Sequence, residues 1–411
     1  MKIPSPCLTL LFLLWSGGTF VFAGPSPLDD LRAALKSGDK PVKIVAFGDS
    51  VTGLYYHTGG ERTYSSLLGD FLTEHYPAAK LEVINAGMSG HTTVNGLARI
   101  ERDVLVHRPT LVTVMFGLND VVRTPPDLFR KNLITILKKC RTVGSAVILC
   151  TPNAVLTTKD RPVAKVKEYA ETIRSVATEF SVPLCDIQQI LSEMQQSAPG
   201  DWRLCMSDEI HPNLRGHRRI AAALAGMITD ETIPPGDDAP PSPPLRFTLE
   251  KLRKGEPIKI LAMPPFDSLI EGSLKAFFPE AQMDVTRWET NALPPSLLVK
   301  DAAARVRPLA PDLVVISVPH NTTTETREEY IRTRMWINNN SLSRGKREWD
   351  VLVIHPDVVE HDPSTPKNPF DALLRIIVPA QDLALLDRLP GDDREPHEIL
   401  REWVARNQEA P

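Results

Sequence analysis

The stretch Val42-Lys43-Ile44-Val45-Ala46-Phe47-Gly48-Asp49-Ser50-Val51 decides how the rest of this chain can fold. Its first six residues form a short apolar run rich in β-branched side chains, long enough for one buried strand. The run ends in Gly48-Asp49-Ser50, where a small, flexible residue allows a sharp turn. Open α/β sheets bind ligands at the carboxyl ends of their strands, so Ser50 is a candidate nucleophile. Gly-Asp-Ser is also common turn chemistry, and the three residues alone favour a simple turn.

Length and composition indicate a globular protein of two domains. The chain has 411 residues, which is longer than one typical core. It is 42% hydrophobic and 24% charged, as expected for a soluble protein. The formal net charge is −4, with acids and bases interspersed, so no nucleic-acid or membrane-surface partner is indicated.

The first residues are typical of a secretory signal peptide. Lys2 precedes a short apolar run at residues 8–15, and small residues follow around Ala23. We expect cleavage near Ala23, so that residues 1–23 are removed and the mature protein is secreted or periplasmic. The apolar run is shorter than the roughly 20 residues that span a bilayer, and we expect no membrane span elsewhere.

The cysteines leave the disulfide question open. Cys7 would be removed with the signal peptide, and four cysteines would remain in an oxidising compartment. These four allow three pairings, among which the sequence does not choose, and buried free thiols are an equally good interpretation. They are Cys140, Cys150, Cys185 and Cys205.

Short apolar runs alternate with helical patterns through the first half of the chain. This alternation predicts a parallel sheet covered by helices on both faces. A last, alanine-rich helix is predicted over residues 214–229, and the first domain is expected to span residues 24–233. The predicted strands are Val42–Phe47, Leu81–Ala86, Leu111–Phe116, Ala146–Thr151 and Val182–Asp186.

A proline-rich segment then separates two similar halves. Residues 234–246 contain P-P-G-D-D-A-P-P-S-P-P, which favours an extended, semi-rigid linker. Residues 247–411 repeat features of the first half. The run at 258–262 resembles that at 42–46, and Val351–Pro356 resembles Val147–Pro152. We interpret residues 247–411 as a second α/β domain that arose by duplication.

Polar residues follow the predicted strands of the first half and open its last helix. They are Gly87 after the second strand, Gly117-Leu118-Asn119-Asp120 after the third, and Asp208-Glu209-Ile210-His211 before the helix. The carboxyl ends of parallel strands meet at one edge of a sheet, so we expect these residues to lie near Ser50.

This set of residues suits acyl transfer. A serine hydroxyl is a weak nucleophile until a base accepts its proton, and His211 can be that base. Asp208 can accept the other imidazole N–H and stabilise the imidazolium. The developing oxyanion needs donors, for which the N–H groups of Ser50 and Gly87 and the amide of Asn119 are candidates.

These motifs resemble the four blocks of the SGNH (GDSL-type) hydrolases, in the order that the family has them. The resemblance covers about residues 42–227. It implies a flavodoxin-like, three-layer α/β/α fold, a Ser–His–Asp triad and hydrolysis of an ester. Members include carbohydrate acetylesterases, lysophospholipases, thioesterases and broad-specificity esterases. Two departures are minor: Val51-Thr52 follows the serine where many members have leucine, and Glu209-Ile210 separates Asp208 from His211.

No cofactor or metal is expected. The spacing of His57, His91 and His217 relative to His211 matches no metal motif, which favours solvated or substrate-facing histidines. Ser89 lies outside a G-x-S-x-G elbow and is interpreted as a loop residue.

The second half lacks much of the candidate catalytic set. Ser268 lies near the nucleophile position, but Pro264 and Pro265 stand where the turn would form. Glu289 occupies the position of Gly87, whereas Asn321 does match Asn119. No Asp-x-x-His motif follows, because Asp393 and His397 are four residues apart. We expect this half to be degenerate and non-catalytic, serving as a packing partner or as a wall of the substrate cleft.

The leading hypothesis is a secreted serine esterase that hydrolyses small acyl groups, such as acetyl, on carbohydrate through an acyl-enzyme. Its partner would be a small-molecule or glycan ester. One alternative is a lysophospholipase or thioesterase acting on lipid esters. The other is a glycan-binding protein without turnover. Nothing in the sequence indicates an oligomeric state.

Overall fold

The computed structural model of the protein describes residues 28–236, 244–290, 293–320, 326–360, 362, 364 and 367–408. The predicted signal peptide lies outside these residues. So do Asn321 and residues 237–243 of the predicted linker. The helix after the linker begins at Arg246, one residue before the predicted start of the second half.

The first half contains a five-stranded parallel sheet with the order β2-β1-β3-β4-β5. Four strands lie within one or two residues of their predicted bounds, but β5 is only two residues long. The strands are β1 Pro41–Gly48, β2 Lys80–Gly87, β3 Leu111–Met115, β4 Ala146–Cys150 and β5 Leu184–Cys185.

Helices cover both faces of this sheet, as the sequence predicts. The helices α1, α2 and α9 pack together, and α3, α5 and α6 form a second group. The helix α9 has the predicted bounds. The helices in the described part of this half are α1 Asp29–Ser37, α2 Tyr64–His75, α3 Thr93–Asp103, α4 Asp120–Arg123, α5 Pro126–Thr142, α6 Val163–Glu179, α7 Ile187–Ser197, α8 Pro199–Arg203 and α9 Leu214–Thr229.

The strand β1 lies at the centre of the core. Ile44, Val45, Ala46 and Phe47 are all fully buried, because side chains on both faces of the strand are covered by helices. Burial on both faces explains why the strand is a continuous apolar run rather than an alternating one. It also fixes where Gly48 leaves the sheet, and therefore where Ser50 is placed.

The second half has a five-stranded parallel sheet of its own, with the order β7-β6-β8-β9-β10. If the strands of each half are numbered from one to five along the chain, both sheets have the same strand order, 2-1-3-4-5. The α/β class expected for this half is confirmed. Its elements are β6 Ile258–Ala262, β7 Met283–Arg287, β8 Leu313–Ile316, β9 Asp350–Ile354 and β10 Ala384–Leu386, with α10 Arg246–Arg253, α11 Phe266–Lys275, α12 Pro295–Leu309, α13 Arg327–Asn340, α14 Leu374–Ala380 and α15 Pro396–Gln408.

The two halves pack against each other. Leu204 of the first half is 2% exposed and belongs to a hydrophobic cluster made otherwise of second-half residues, on which Tyr56 also packs. Arg62 forms a two-bond ion pair with Asp382, which is almost fully buried. The second half therefore contacts the chain on either side of the candidate site, just after Ser50 and just before Asp208.

The four cysteines that would remain in the mature chain are buried free thiols. Cys150 and Cys185 are paired in register across β4 and β5. A hydrogen bond with Cys185, together with burial, raises the pKa of Cys150 well above its ordinary value. Among the residues described, no helix has both the length and the apolar character needed to cross a bilayer.

Candidate active site

Ser50 lies in a tight turn directly after β1. The N–H groups of Thr52 and Gly53 both donate to the carbonyl of Asp49 (3.2 and 3.0 Å), which reverses the chain. Gly48 has no room for a side chain, because a Cβ there would lie 2.1 Å from Thr52 Oγ1 and 2.5 Å from the carbonyl of Met115. The turn leaves Ser50 only 7% exposed.

Asp49 is fully enclosed beneath this turn. One carboxylate oxygen accepts from the N–H of Val51 (3.0 Å). Burial raises the pKa of Asp49 to about 6, although the Val51 bond and the charge of His211 act in the opposite direction. The side chain stabilises the turn from below, since its bond to Val51 spans the nucleophile.

Ser50, His211 and Asp208 form a continuous chain of hydrogen bonds. Ser50 Oγ lies 2.9 Å from His211 Nε2, and His211 Nδ1 lies 2.8 Å from Asp208 Oδ2. When Nδ1 carries the proton and donates it to Asp208, the lone pair of Nε2 can accept the hydroxyl hydrogen of Ser50. The three side chains come from positions as much as 161 residues apart.

The Asp208 carboxylate is held as an anion. Its second oxygen accepts the backbone N–H groups of Ile210 (2.8 Å) and His211 (2.7 Å). Burial alone would raise the pKa of Asp208. The charge of His211 and its hydrogen bond, with smaller contributions from His57 and from the Ile210 N–H, outweigh that effect and lower the pKa well below its ordinary value. An ionised Asp208 can orient His211 and stabilise its charged form.

The three predicted oxyanion donors differ in their availability. The backbone N–H of Ser50 has no hydrogen-bond partner among the described residues. The amide of Asn119 donates to the carbonyl of His91 (3.2 Å) and, over a longer distance, to Asp49 Oδ2 (3.5 Å), so an oxyanion would have to replace one of these acceptors. The N–H of Gly87, however, donates to Asn85 Oδ1 at 2.9 Å, so it is already engaged within the protein.

Gly87 is a glycine for a packing reason. A Cβ there would lie 2.2 Å from the N atom of Gly53, within the chain just after Ser50. Asn85 also holds these two chain segments together, because its side-chain amide donates to the carbonyl of Thr52 (2.6 Å) while its oxygen accepts the N–H of Gly87. Gly90, three residues further on, has a positive φ of 73°, and its N–H has no partner within the described part of the chain.

Arg161 orients the amide of Asn119, a role that the sequence does not reveal. Its Nη2 donates to Asn119 Oδ1 (3.1 Å), and its Nε donates to the carbonyl of Leu118 (2.7 Å). Because the guanidinium occupies the amide oxygen, the NH₂ group of Asn119 must face the other way. Arg161 lies on the loop after β4, and only its position beyond a strand end could have suggested a place near the site.

His57 and His217 are buried, so of the two expected roles, solvated or substrate-facing, the first does not apply to them. The ring of His57 stacks on that of His211 at 3.6 Å, with 16° between the planes. Its Nδ1 lies 3.5 Å from Asp208 Oδ2. Burial, together with the charge of His211, lowers the pKa of His57 well below its ordinary value. His217 accepts the N–H of Tyr64 (2.9 Å), and burial lowers its pKa to about 3.

The remaining loop residues lie at the edge of the site. His91 is partly exposed, and its Nδ1 accepts from Arg99 Nε at 3.2 Å. Ser89 is exposed, and its N–H donates to the hydroxyl of Tyr55. Neither residue contacts Ser50 or His211.

One group of possible metal ligands occurs at this site, but its geometry does not suit a metal ion. Ligand atoms of His57, Asp208 and His211 all lie within 4.8 Å of one another. An imidazole binds a metal in the plane of its ring. The two rings are stacked and nearly parallel, so one ion cannot lie in both planes. The Nδ1 of His211 is moreover bonded to Asp208.

The corresponding residues of the second half do not assemble into a comparable set. Ser268 is exposed on α11 and donates to the carbonyl of Pro265 (2.8 Å). Glu289 is paired with Arg287 (2.8 Å). Asp393 and His397 are both exposed. The position of Asn321 lies outside the described residues.

A buried polar cluster does occur at the carboxyl edge of the second sheet. His320 Nδ1 lies 2.5 Å from Asp371 Oδ2, and the Tyr330 hydroxyl donates to Asp371 Oδ1 (2.7 Å). The other nitrogen of His320 lies 3.5 Å from Asp357. Within the described residues no serine or cysteine is bonded to this histidine, so the cluster does not present an activated nucleophile.

Comparison with known proteins identifies the class of the first half. Residues 46–219 match the model of the GDSL-like Lipase/Acylhydrolase family. The resemblance to this hydrolase family is thereby confirmed over residues 46–219, and the α/β fold and the carboxylic ester hydrolase activity expected from the sequence are confirmed as well.

Individual relatives are esterases. The chain is 26% identical over 233 residues to an acetylxylan esterase of Geobacillus stearothermophilus, covering 53% of this chain and 97% of the relative. It is 26% identical over 192 residues to Thioesterase 1/protease 1/lysophospholipase L1 of Escherichia coli (strain K12), covering 45% and 82%. A solved lipase/acylhydrolase from Enterococcus faecalis is 28% identical, covering 48% and 99%, with a TM-score of 0.40.

Proposed function

We propose that the protein is a secreted serine esterase that removes small acyl groups, such as acetyl, from carbohydrate. Ser50 is the nucleophile, His211 the general base and Asp208 the residue that orients it. The single observation that carries this proposal is the hydrogen-bonded chain of 2.9 and 2.8 Å from Ser50 through His211 to Asp208. A nucleophile bonded to a base that is itself oriented by a third group is the general signature of covalent catalysis.

The reaction follows from this geometry in two steps. Ser50 Oγ attacks the ester carbonyl carbon while His211 Nε2 takes its proton, and the tetrahedral intermediate collapses as His211 returns the proton to the departing alcohol. Water then attacks the acyl-enzyme, with His211 again accepting a proton. The carboxylic acid is released, and Ser50 regains its hydrogen. No metal or cofactor takes part in these steps.

The oxyanion is stabilised by the N–H of Ser50 and the amide of Asn119. We assign the third donor to the N–H of Gly90 rather than that of Gly87, because the Gly87 N–H already donates to Asn85. Gly90 is next to His91, whose carbonyl lies 3.2 Å from the Asn119 amide. The N–H of Gly90 is unpaired within the described residues.

Carbohydrate as the substrate rests on similarity and on export. A relative that this chain covers over 97% of its length is named an acetylxylan esterase, and the sequence at residues 1–23 is typical of a signal peptide. The alternative is a lipid esterase, since another relative is named a thioesterase and lysophospholipase. A non-catalytic glycan-binding protein is disfavoured, because it would have no use for an activated Ser50.

Replacement of Ser50 tests the catalytic assignment. Ser50→Ala should abolish hydrolysis of p-nitrophenyl acetate with folding unchanged, because the attacking atom is lost. His211→Ala should have nearly the same effect, since members of a triad act as a unit. Circular dichroism provides the folding control. Activity of more than a few per cent in Ser50→Ala, or failure of a fluorophosphonate to label Ser50, would refute the proposal.

A panel of substrates tests the specificity. Acetylated xylo-oligosaccharides should be hydrolysed with a higher kcat/KM than p-nitrophenyl esters of eight or more carbons. A kcat/KM that rises with acyl chain length would favour the lipid esterase instead.

A further inference from the structure

The segment that carries Asp208 is a loop that both halves of the molecule hold. It runs between the end of α8 and the start of α9. Within the loop, Ser207 N–H donates to the carbonyl of His211 (2.8 Å), and Met206 and Pro212 form an isolated antiparallel bridge. These bonds fix Asp208 relative to His211. From the first half, Asn153 Nδ2 donates to the carbonyl of Ile210 (2.9 Å) and the N–H of Leu156 donates to that of Glu209 (2.8 Å).

A residue of the second half holds this loop from outside. Asn339, near the end of α13, makes two hydrogen bonds with Ser207, the residue next to Asp208. The Ser207 hydroxyl donates to Asn339 Oδ1 (3.1 Å), and Asn339 Nδ2 donates to the carbonyl of Ser207 (3.2 Å). Both side chains are fully buried, so water does not compete for these bonds.

The orientation of the Asn339 amide is itself fixed. Gln381 Nε2 donates to Asn339 Oδ1 (2.7 Å) and to the carbonyl of Met335 (3.2 Å), and Gln381 is fully buried. With its oxygen accepting from two donors, the amide of Asn339 must present its NH₂ group to the Ser207 carbonyl. The two hydrogen bonds between Asn339 and Ser207 are therefore preorganised.

The second half holds the same region at two further points. Arg203, which is 4% exposed, pairs with Glu328 at the start of α13 (2.7 Å). The ring of Tyr56 lies against His57 (4.1 Å), which stacks on His211, and the guanidinium of Arg307 is 5.4 Å from the Tyr56 ring. Second-half contacts thus flank both chain segments that touch the His211 imidazole.

We infer that the second half has a function in catalysis although its described residues present no activated nucleophile: Asn339 is a positioning residue that holds Asp208, and through Asp208 also His211, in the correct position relative to Ser50. This inference rests on the proposed function of Ser50, His211 and Asp208. A contact that only stabilised the fold could lie anywhere on the interface, whereas this one ends at the residue adjoining Asp208.

The test uses the full chain with Asn339→Leu, which has a similar volume but no hydrogen bonds. The kcat for p-nitrophenyl acetate should fall about 10- to 100-fold, because small displacements of catalytic groups have effects of that size. KM should change less than about twofold, since no substrate contact is altered. The second-order rate of Ser50 labelling by a fluorophosphonate should fall in parallel with kcat.

A second pair of variants covers the case in which Asn339→Leu does not fold. Ser207→Thr keeps the hydroxyl, whereas Ser207→Val has the same shape without it. The Thr variant should retain several-fold more kcat than the Val variant. Equal kcat values in the two would overturn the inference.

Ser341→Ala is the matched control. Ser341 lies just beyond Asn339, is fully buried, and donates to the carbonyl of Ile337 (2.8 Å) within the second half. Its loss should lower stability but leave kcat unchanged. If Asn339→Leu lowered Tm like this control and left kcat unchanged, the second half would be only a packing partner. Ser50→Ala tests the catalytic triad separately. A wrong assignment of the triad can therefore be distinguished from a wrong assignment of Asn339 as a positioning residue.

Discussion

The orientation of the Asn119 side-chain amide is fixed by a hydrogen bond from a neighbouring residue. Arg161 donates to its oxygen, and so the NH₂ group faces His91 and Asp49. An amide held in this way can stabilise charge without reorganising when the charge appears. The two residues should therefore act together.

Asn119→Ala should lower kcat by roughly 10²–10³ with little change in KM, because the amide binds a charge that exists only in the transition state. Arg161→Met should lower kcat by less, about tenfold, through a misdirected amide. In the double variant, Arg161→Met should cause little further loss of kcat, because the Asn119 amide that Arg161 orients is already absent. Steady-state kinetics on all four proteins measure this coupling, and fully additive effects would mean that Arg161 acts independently.

At the scale of elements, one buried carboxylate joins α10 to β9. Asp350 begins β9, is 2% exposed, and accepts the N–H of Thr248 at 2.7 Å. Burial raises the pKa of Asp350 from its ordinary 3.8 to about 6. The bond to Thr248 lowers the pKa, but it does not compensate for the loss of water around the charge.

This shift predicts how stability depends on pH. Between about pH 4 and 6 the folded chain keeps the Asp350 proton and the unfolded chain loses it. The free energy of unfolding should therefore fall as pH rises through this window, by about 3 kcal/mol for two pKa units. Asp350→Asn keeps an acceptor for Thr248 and cannot ionise, so it should be more stable than the native protein at pH 8 and similar at pH 4. Urea unfolding at both pH values measures this.

The exposed Asp284→Asn is the control for the change in net charge. It should leave the pH dependence of unfolding as it is in the native protein. A steeper loss of stability in Asp350→Asn than in the native chain would contradict the argument.

The helix α11 presents a serine at the place where the first half has its nucleophile. Ser268 donates to the carbonyl of Pro265 and is exposed, and no histidine contacts it in the described part of the chain. Ser268→Ala should therefore leave kcat unchanged, and it should change stability by less than about 0.5 kcal/mol. Loss of hydrolysis in this variant would show that the second half has chemistry of its own.

At the scale of the whole molecule, the two halves are joined by packing as well as by the linker. A chain that ends at residue 233 would expose Leu204 and Tyr56, which pack on the second half's core. It would also free Ser207 from Asn339. We expect such a chain to bind the dye ANS and to hydrolyse p-nitrophenyl acetate with a lower kcat than the full chain. A fully active, monomeric 1–233 chain that binds no dye would contradict this expectation.

Much of the architecture could be predicted from the sequence alone. Apolar strands buried on both faces are readable as continuous runs, and residues after parallel strands converge at one sheet edge. Those two rules place Ser50 and Asn119 at that edge, and the Asp-x-x-His motif before the last helix adds Asp208 and His211. The structure brings them together because the rules depend only on local pattern and on sheet geometry.

Tertiary structure decided the features that depend on distant neighbours. The N–H of Gly87 is engaged by Asn85, and His57 is enclosed against His211 rather than solvated. Asn339 lies 132 residues from Ser207, and nothing in either local sequence indicates the contact. A strand or a turn is specified by the residues within it, whereas burial and hydrogen-bond partners are set by whichever part of the chain packs there.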